Sequence, residues 1–322
     1  MCLVALAIDQ NRRFPLVLAA NRDEFFARPT ARLAWWTPDA GGPAILSGRD
    51  LQAGGTWLGL TAEGRLGLVT NVRQAKPADP QSPSRGHIVA EWLASRESAD
   101  RFWMRTALSG YNGFNLIAAD FRRGDCFFAT NLRATPQRIE RGVYGLSNAG
   151  LDTPWPKVTA LKARLADALP HAESVDALSA LLFDALADRT EAATDELPDT
   201  GVAPERERML SAAFIRASDL GYGTRSSTLI IAERVNRHLV THVLERSFSP
   251  TGVALLRRSS LKHWPPRYAV DAPSVAVSEQ QPVSEAELDV PGSVTALPVK
   301  RTRVRSLLKP AGKRVRAPAA AR

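Results

Sequence analysis

The sequence predicts an α+β protein, built from antiparallel sheets with a few helices inserted between the strands. Paired apolar runs separated by short polar turns predict the strands, and apolar residues at three- and four-residue spacing predict the helices. The two kinds of segment alternate along the chain, which is typical of a layered body. With 44% hydrophobic and 23% charged residues, the 322 residues have the composition of a globular protein of one large or two small domains.

Four pairs of apolar runs predict four β-hairpins. The first pair joins residues 2–8 to residues 15–20 through a polar turn. The later pairs are 56–61 with 66–71, 114–119 with 126–130, and 227–232 with 239–244. Hairpins join antiparallel neighbours, so this pattern favours antiparallel sheets over parallel ones.

Three segments have the apolar spacing of amphipathic helices. The first is predicted to begin near Ser84, the second to span residues 156–169 with Pro156 in its first turn, and the third to cover residues 178–186. Their predicted buried residues are Ile88, Val89, Trp92 and Leu93, then Leu161, Leu165 and Leu169, then Leu178, Leu181, Leu182 and Leu186.

The positive charge of the chain is concentrated after residue 250. Residues 251–322 hold 13 Lys and Arg against 5 Asp and Glu, whereas the preceding 250 residues are nearly neutral. Residues 300–322 contain no aromatic side chain, so they lack the stacking surface of a single-strand nucleic-acid binder. We expect a folded body over residues 1–250 and a basic, Pro/Ala-rich, mostly disordered tail over residues 251–322, with no specific nucleic-acid partner.

The two cysteines and the apolar runs bear on the compartment. Cys2 and Cys126 are too few for a disulfide framework or a cysteine-based zinc site, so a reduced, cytoplasmic protein is expected. No run of about 18 apolar residues predicts a transmembrane helix. The short apolar opening has no basic flank and predicts a buried strand rather than a signal peptide. The histidines show no metal-site spacing, and Cys126 is predicted to be a core thiol.

Cys2 is the residue best placed to carry chemistry. Once the initiator Met is removed, its thiol and its α-amine belong to the same residue. An α-amine has a pKa of about 7.7–8.0, so much of it is neutral near pH 7 and can accept the thiol proton. The alternative is a second-position cysteine that lies in a buried strand by chance.

Several polar residues occur at the ends of apolar runs. Asn21-Arg22-Asp23-Glu24 is either a solvated turn or part of a site beside Cys2, where Arg22 would lower the thiol pKa and Asp23 would orient the amine. Asn71 and Asn148 either close turns or donate to an oxyanion. The segment around Arg225 is either a polar strand edge or part of the same site. The glycine-dense residues 48–59 predict a loop with close backbone approach, without the spacing of a phosphate-binding loop.

Taken together, these segments resemble the NRDE family, the family of the transport-and-Golgi-organisation proteins. The resemblance covers residues 1–250, in the order expected. The motifs that carry it are Met1-Cys2, Asn21-Arg22-Asp23-Glu24, Gly48-Arg49-Asp50, Gly54-Gly55-Thr56-Trp57-Leu58-Gly59, Thr70-Asn71-Val72-Arg73, Leu146-Ser147-Asn148 and Gly223-Thr224-Arg225-Ser226-Ser227-Thr228.

The resemblance implies a four-layer αββα sandwich of two antiparallel sheets, like that of N-terminal-nucleophile hydrolases. A more distant similarity links the chain to choloylglycine hydrolases and acyl-coenzyme A:penicillin acyltransferases, which carry Arg-Asn-x-Asp where this chain has Asn-Arg-Asp-Glu. By position, the resemblance implies these candidate catalytic residues: Cys2, Arg22, Asp23, Asn71, Asn148 and Arg225.

Two functions are consistent with this sequence. The first is an N-terminal cysteine hydrolase, an amidohydrolase or acyltransferase type of enzyme, that acts on a non-peptide amide or an acyl ester of a small molecule. In it Asn71 and Asn148 would stabilise the oxyanion, and Arg225 would hold a substrate carboxylate or phosphate. The second is a non-catalytic carrier of haem or of an acyl or lipid ligand, because members of the family have been linked to haem trafficking and acyl-coenzyme A handling. No cofactor and no metal is expected for the enzyme.

Overall fold

Strands and helices alternate along the chain as the sequence predicted. The computed structural model describes residues 2–133, 135–252, 254–268 and the backbone of residues 284–288. Within them the strands are β1 (Cys2–Ile8), β2 (Leu16–Phe25), β3 (Thr30–Trp36), β4 (Ile45–Asp50), β5 (Leu58–Thr61), β6 (Arg65–Asn71), β7 (Phe114–Asp120), β8 (Asp125–Thr130), β9 (Gln137–Arg138), β10 (Gly142–Leu146), β11 (Arg216–Ala217), β12 (Tyr222–Val235), β13 (His238–Phe248), β14 (Ala254–Lys262) and β15 (Ser284–Leu288). The α-helices are α1 (Gly86–Ala94), α2 (Ala99–Ala107), α3 (Pro156–His171), α4 (Val175–Leu186) and α5 (Pro204–Met209).

The strands form two antiparallel sheets. Sheet A has the order β10-β1-β2-β12-β13-β14-β15, with the short β11 paired to β12. Sheet B has the sequential order β3-β4-β5-β6-β7-β8-β9. All four predicted hairpins are present as neighbouring strands: β1 with β2, β5 with β6, β7 with β8, and β12 with β13.

The alternation of side chains along β1 shows how the layers are built. Val4 and Leu6 point into the core between the two sheets, whereas Leu3 and Ala5 pack against α3 and α4 on the outer face of sheet A. On the far side, α1 and α2 cover the outer face of sheet B around the buried Trp92. The layers are therefore, in order, helices α3 and α4, sheet A, sheet B, and helices α1 and α2. The predicted four-layer αββα sandwich of the α+β class is confirmed.

The predicted helices differ from the observed ones mainly at one position. All three occur, as α1, α3 and α4, with ends within a few residues of the prediction. The prediction that Leu181 is buried in α4 is wrong, because 46% of its surface is exposed, while Leu178 and Leu182 are fully buried. Leu181 is one residue off the stripe that faces sheet A, at 100° to its neighbour Leu182 on the helix surface.

Sheet A continues past residue 250, where the body was expected to end. β14 pairs with β13 along its length, and the side chain of Trp264 is 1% exposed in the core between the sheets. The indole Nε1 of Trp264 donates to the carbonyl of Thr61 in sheet B, at 2.9 Å. Residues 254–268 therefore belong to the packed body. The rest of the predicted disordered tail, apart from the β15 backbone, lies outside the described residues.

None of the helices in the described part of the chain is both long enough and apolar enough to cross a membrane.

Candidate active site

Both sheets contribute to a cavity of about 630 Å³. Its walls include the first residue of β1, the second half of β2, and residues from β12 and β13 of sheet A. On the other side they include parts of β4 and β6 and the loop 80–86 that leads into α1. This is the volume of a small-molecule site.

Cys2 lies at the edge of this cavity. It occupies the first position of β1, on the same face as Val4, which points between the sheets. The residue is 7% exposed, and burial raises the pKa of its thiol to about 11. The carbonyl of Cys2 accepts a hydrogen bond from Ser147 Oγ at 2.9 Å, which fixes the backbone that carries the thiol. Cys2 therefore lines the cavity from the face of β1 that points between the sheets.

The segment Asn21-Arg22-Asp23-Glu24 is the second half of a strand and not a turn, since β2 runs through to Phe25. Asn21 is fully buried and points away from the cavity. Its amide donates to the carbonyls of Leu186 and Ala213, both at 2.8 Å, and its oxygen accepts from Ser227 Oγ at 2.6 Å. Asn21 thus holds α4 and the segment after α5 against sheet A.

Arg22 lies directly opposite Cys2 in the ladder between β1 and β2. Directly opposed residues share one face of a sheet, so Arg22 also lines the cavity. Its Nη2 lies 3.6 Å from Oε2 of Glu24, the next residue on that face. Glu24 in turn lies 3.9 Å from Arg28, whose guanidinium is paired with Asp50 at 2.7 Å.

Asp23 is 1% exposed and accepts a hydrogen bond from Thr224 Oγ1 at 2.7 Å. Burial raises the pKa of this carboxyl. Asp23 is among the residues that line the cavity with Cys2. The structure therefore places Cys2, Arg22 and Asp23 at one cavity, with the Asp23 side chain on the face of β2 opposite to that of Arg22.

The two predicted amides meet each other. Nδ2 of Asn148 donates to the backbone carbonyl of Asn71 at 2.8 Å. Asn71 lines the cavity at the end of β6, and Asn148 is fully buried behind it. Thr70 Oγ1 donates to the carbonyl of Ser147 at 2.6 Å, so the same two segments are joined a second time.

Arg225 is the extra residue of a β-bulge. Thr224 pairs with Asp23 and Ser226 pairs with Arg22, so two steps along β12 match one step along β2. Nη1 of Arg225 donates to the carbonyls of Phe25, Phe26 and Arg28, at 2.9, 3.2 and 3.0 Å. Arg225 therefore anchors the turn after β2 and also lines the cavity.

The glycine-dense segment consists of a strand end and a loop. Gly48, Arg49 and Asp50 belong to β4, contrary to the loop predicted for residues 48–59. Gly55 does provide the close approach that was predicted: a Cβ there would overlap the backbone of Gly86 and lie 2.8 Å from the amide of His87. The amide of Thr56 then donates to the carbonyl of Gly86 at 3.1 Å. This contact fixes the start of α1 beside the cavity.

Three ionisable residues near the site were not found from the sequence. Lys157, in the first turn of α3, is 5% exposed, and its Nζ donates to the carbonyl of Leu210 at 2.7 Å. Burial lowers the pKa of Lys157 to about 8, against the opposing pull of the Asp23 carboxylate. Lys157 follows Pro156 in what looks like an ordinary helix start, so the sequence gives no indication that this residue is buried near the site.

Glu245 and Arg85 complete the group. Glu245 on β13 is 3% exposed, accepts from the amide of Leu33 at 2.8 Å and from Ser247 Oγ at 3.0 Å, and has its pKa raised by burial. Arg85 immediately precedes α1 and lines the cavity. Cys126, by contrast, is a core thiol as predicted, 4% exposed between the sheets.

Across the described ranges, no three His, Cys, Asp or Glu side chains are grouped closely enough to hold a metal ion. The chemistry available at the cavity is that of a thiol, carboxylates, amides, a buried amine and several guanidinium groups.

Residues 1–250 match the family model described as Transport and Golgi organisation 2. The chain is 35% identical over 255 residues to the Transport and Golgi organization protein 2 homolog of Homo sapiens, covering 72% of this chain and 89% of that protein. It is 34% identical over 261 residues to the homolog of Mus musculus, covering 74% and 91%. It is 28% identical over 271 residues to the Transport and Golgi organization protein 2 of Drosophila melanogaster, covering 77% and 93%.

Among solved structures, the crystal structure of the mutant C2A conjugated bile acid hydrolase from Clostridium perfringens has a TM-score of 0.38 to this chain, with 10% sequence identity. The superposition covers 74% of this chain and 90% of that one.

Proposed function

The chain belongs to the Transport and Golgi organisation 2 family, as its motifs predicted, and on this premise we propose that it is an N-terminal cysteine hydrolase. It cleaves a non-peptide amide or an acyl ester bond of a small molecule bound in the cavity. The observation that carries the proposal is the position of Cys2. Its thiol borders the cavity at the first position of β1, directly opposite Arg22 and with Asp23 in the same wall.

Before catalysis, removal of Met1 frees the α-amine of Cys2. Because burial raises the pKa of the thiol, little thiolate exists at neutral pH, and a base has to accept the proton during attack. The free α-amine is that base. The sulfur forms a bond to the substrate carbonyl carbon, and the carbonyl electron pair moves to the oxygen. The protonated amine then gives its proton to the leaving nitrogen or oxygen as that bond breaks, which leaves a thioester. Water attacks the thioester, releases the acid and restores the thiol.

Asn71 and Asn148 are the proposed oxyanion donors. The backbone N–H of Asn71 and one N–H of the Asn148 amide are assigned this role, while the other N–H of that amide donates to the Asn71 carbonyl. One donor of this kind contributes roughly 3–4 kcal/mol in hydrolases where it has been removed. Asn148 lies behind the cavity wall, so its contribution includes holding Asn71 in place.

Arg22 and Asp23 set the charge around the nucleophile. The Arg22 guanidinium favours the thiolate that forms during attack, and the Asp23 carboxylate orients and stabilises the ammonium that results. Arg225, on the neighbouring strand β12 of the same sheet, holds a substrate carboxylate or phosphate. Its Nη1 is already engaged with three carbonyls, which leaves the rest of the guanidinium for the substrate.

The character of the cavity wall bears on the alternative carrier function. Haem and acyl chains are held by walls that are mostly apolar. Here the lining includes the charged residues Arg22, Glu24, Arg28, Asp50 and Arg225. The lining therefore favours a polar substrate, and the carrier of haem or lipid stays a prediction.

Two measurements test the proposal. Intact mass of the purified protein shows whether Met1 has been removed, and a retained Met1 would exclude the α-amine as base. Acyl and aminoacyl anilides and esters are then offered to the wild-type protein and to Cys2→Ala. The matched control is Cys126→Ala, which removes the other buried thiol far from the cavity. We expect turnover by the wild-type protein and by the control, and none by Cys2→Ala. Equal turnover by all three proteins would refute the mechanism.

A further inference from the structure

The charged residues of the cavity do not balance one another. Arg28 is neutralised by Asp50, with Nε and Nη2 at 2.9 and 2.7 Å from Oδ2. Arg22 is accompanied by Glu24 at 3.6 Å. Arg85 and Arg225 also line the cavity, and among the described residues neither forms an ion pair with a carboxylate.

Arg225 is bound only by neutral groups. Its three hydrogen bonds go to backbone carbonyls, which carry only a partial charge, and the Glu24 carboxylate acts on it from beyond ion-pair distance. Its Nε is buried without a hydrogen-bond partner. Arg22 and Arg225 both line the cavity, and burial and then the Arg22 guanidinium lower the pKa of Arg225 against the opposing effect of Glu24.

Arg85 approaches the cavity from the other side. It precedes α1, and the contact between Gly55 and Gly86 fixes the backbone next to it. Within the ranges that the structure describes, its side chain makes neither a hydrogen bond nor an ion pair, although the residue is partly buried. The Glu24 carboxylate acts on Arg85 only from beyond ion-pair distance. A partly buried cation with no closer counter-charge is costly unless a ligand supplies the missing charge.

The remaining carboxylates cannot supply that charge. Glu245 is held by the amide of Leu33 and by Ser247 Oγ, and Asp23 is held by Thr224 Oγ1. Burial raises the pKa of both carboxyl groups, and within the described residues neither group forms an ion pair with Arg85 or Arg225. The guanidinium groups of Arg85, before α1, and Arg225, on β12, therefore line the cavity without a carboxylate in ion-pair contact.

We infer that Arg85 and Arg225 bind an anionic group, a carboxylate or a phosphate, of a substrate whose amide or ester carbonyl reaches Cys2. The inference rests on the proposed function for the part that concerns Cys2, and it names the substrate class: acyl compounds that carry a negative charge. Guanidinium groups suit such anions because their planar N–H groups donate to two oxygens at once.

Binding is measured by calorimetry on Cys2→Ala protein, which cannot turn the probes over by the proposed route. Three probes share an acetamide and differ in charge: N-acetylglycine carries a carboxylate, N-acetylethanolamine phosphate carries a phosphate, and N-acetylethanolamine is neutral. We expect at least one anionic probe to bind about tenfold or more tightly than the neutral one, and the preference to weaken with added salt. The tighter of the two anionic arms identifies the source of the charge.

Arg85→Gln in the same background tests the residue itself. We expect this change to remove most of the preference for the anion while the affinity for the neutral probe and the melting temperature stay the same. Arg105→Gln is the matched control, because Arg105 is an arginine of α2 that pairs on the surface with Glu91 and Glu97. Equal binding of all three probes, absence of binding by both anions, or an unchanged preference in Arg85→Gln would each overturn the inference.

The outcomes also separate the inference from the proposed function. Anion binding that depends on Arg85, together with no turnover by the wild-type protein, would retain the inference and reject the hydrolase. Turnover that depends on Cys2 but has the same kcat/KM for neutral and anionic substrates would retain the hydrolase and reject the inference.

Discussion

The side-chain amide of Asn148 donates to the backbone carbonyl of Asn71, with 2.8 Å between Nδ2 and the oxygen. The residue before it, Ser147, donates from Oγ to the carbonyl of Cys2 at 2.9 Å. Cys2 belongs to sheet A and Asn71 belongs to sheet B. Two consecutive residues after β10 therefore fix the proposed nucleophile and the proposed oxyanion donor relative to each other, across the space between the sheets.

Replacement of Asn148 by Ala is expected to affect both activity and stability. The loss of a donor, or of the bond that positions one, should lower kcat by about 100- to 1,000-fold. The buried carbonyl of Asn71 loses its partner, which should reduce the free energy of unfolding by about 1–3 kcal/mol. Steady-state kinetics and urea denaturation measure the two effects.

Asn21→Ala is the control for that variant. Asn21 is equally buried, but its three hydrogen bonds lie on the helix side of sheet A. We expect a loss of stability of similar or larger size with kcat retained. If Asn21→Ala lowered kcat as strongly as Asn148→Ala, the loss would reflect general loosening and not the position of Asn148.

Lys157 should make stability depend on pH in the alkaline range. Its pKa is lowered from 10.5 to about 8 in the folded protein, so between these values the unfolded chain binds more protons than the folded one. Stability therefore rises with pH from about 8 to 10.5 through this group. Lys157→Met should lack this rise. Between pH 8 and pH 10.5, the unfolding free energy of the wild type should increase relative to that of Lys157→Met by on the order of 3 kcal/mol.

Other groups titrate in the same range, so only the comparison is informative. Lys162→Met is the control, because Lys162 lies on the same helix and pairs with Asp152 at 2.5 Å near the surface. Urea denaturation at several pH values gives the curves. Parallel curves for wild type and Lys157→Met would show that the ammonium is already at its ordinary pKa.

Gly55→Ala should separate the start of α1 from the cavity. The added methyl group would overlap the backbone of Gly86, which cannot move independently of the helix. We expect a loss of about 1–3 kcal/mol in stability and a fall in turnover, because the cavity wall at Arg85 shifts with the helix. Gly150→Ala is the control, because Gly150, like Gly55, lacks a positive φ, and the nearest atom to an added Cβ is Oγ1 of Thr153 at 3.6 Å, an ordinary contact. A neutral Gly55→Ala variant would show that the contact is not needed.

Trp264→Ala should show that the chain beyond residue 250 stabilises the body. The indole is fully buried and donates to Thr61 in the other sheet, so its removal should cost about 3–5 kcal/mol. Leu108→Ala, at a side chain that is 89% exposed, should leave the melting curve unchanged. A melting temperature unaffected by Trp264→Ala would place the boundary of the body back at residue 250.

The periodic parts of the fold could be predicted from the sequence, and the reasons are local. β1 and α3 carry uninterrupted apolar patterns, so the sequence alone indicated them. β3 and β9 are the two edge strands of sheet B. Few of their positions are buried, so the apolar pattern in their sequences is weak. β14 holds adjacent Arg257 and Arg258 inside a strand, which gave it the charge of a tail.

Some residues of the candidate site could likewise be predicted from local patterns, and others could not. Cys2, Arg22 and Asp23 could be placed together because pairing of two consecutive strands joins their ends. Lys157 and Glu245 could not, because a charged residue becomes buried only through contacts made by distant segments. In these two cases the contacts come from Leu210 and Leu33.

The bulge in β12 has a consequence for protein engineering. Because Arg225 is the surplus residue between two paired positions, its deletion would restore a regular ladder while every other pairing of β12 with β2 is kept. The hydrogen bonds from its guanidinium to the carbonyls of Phe25, Phe26 and Arg28 would be lost with it. Paralogues and designed variants could thus gain or lose this charge in one genetic step.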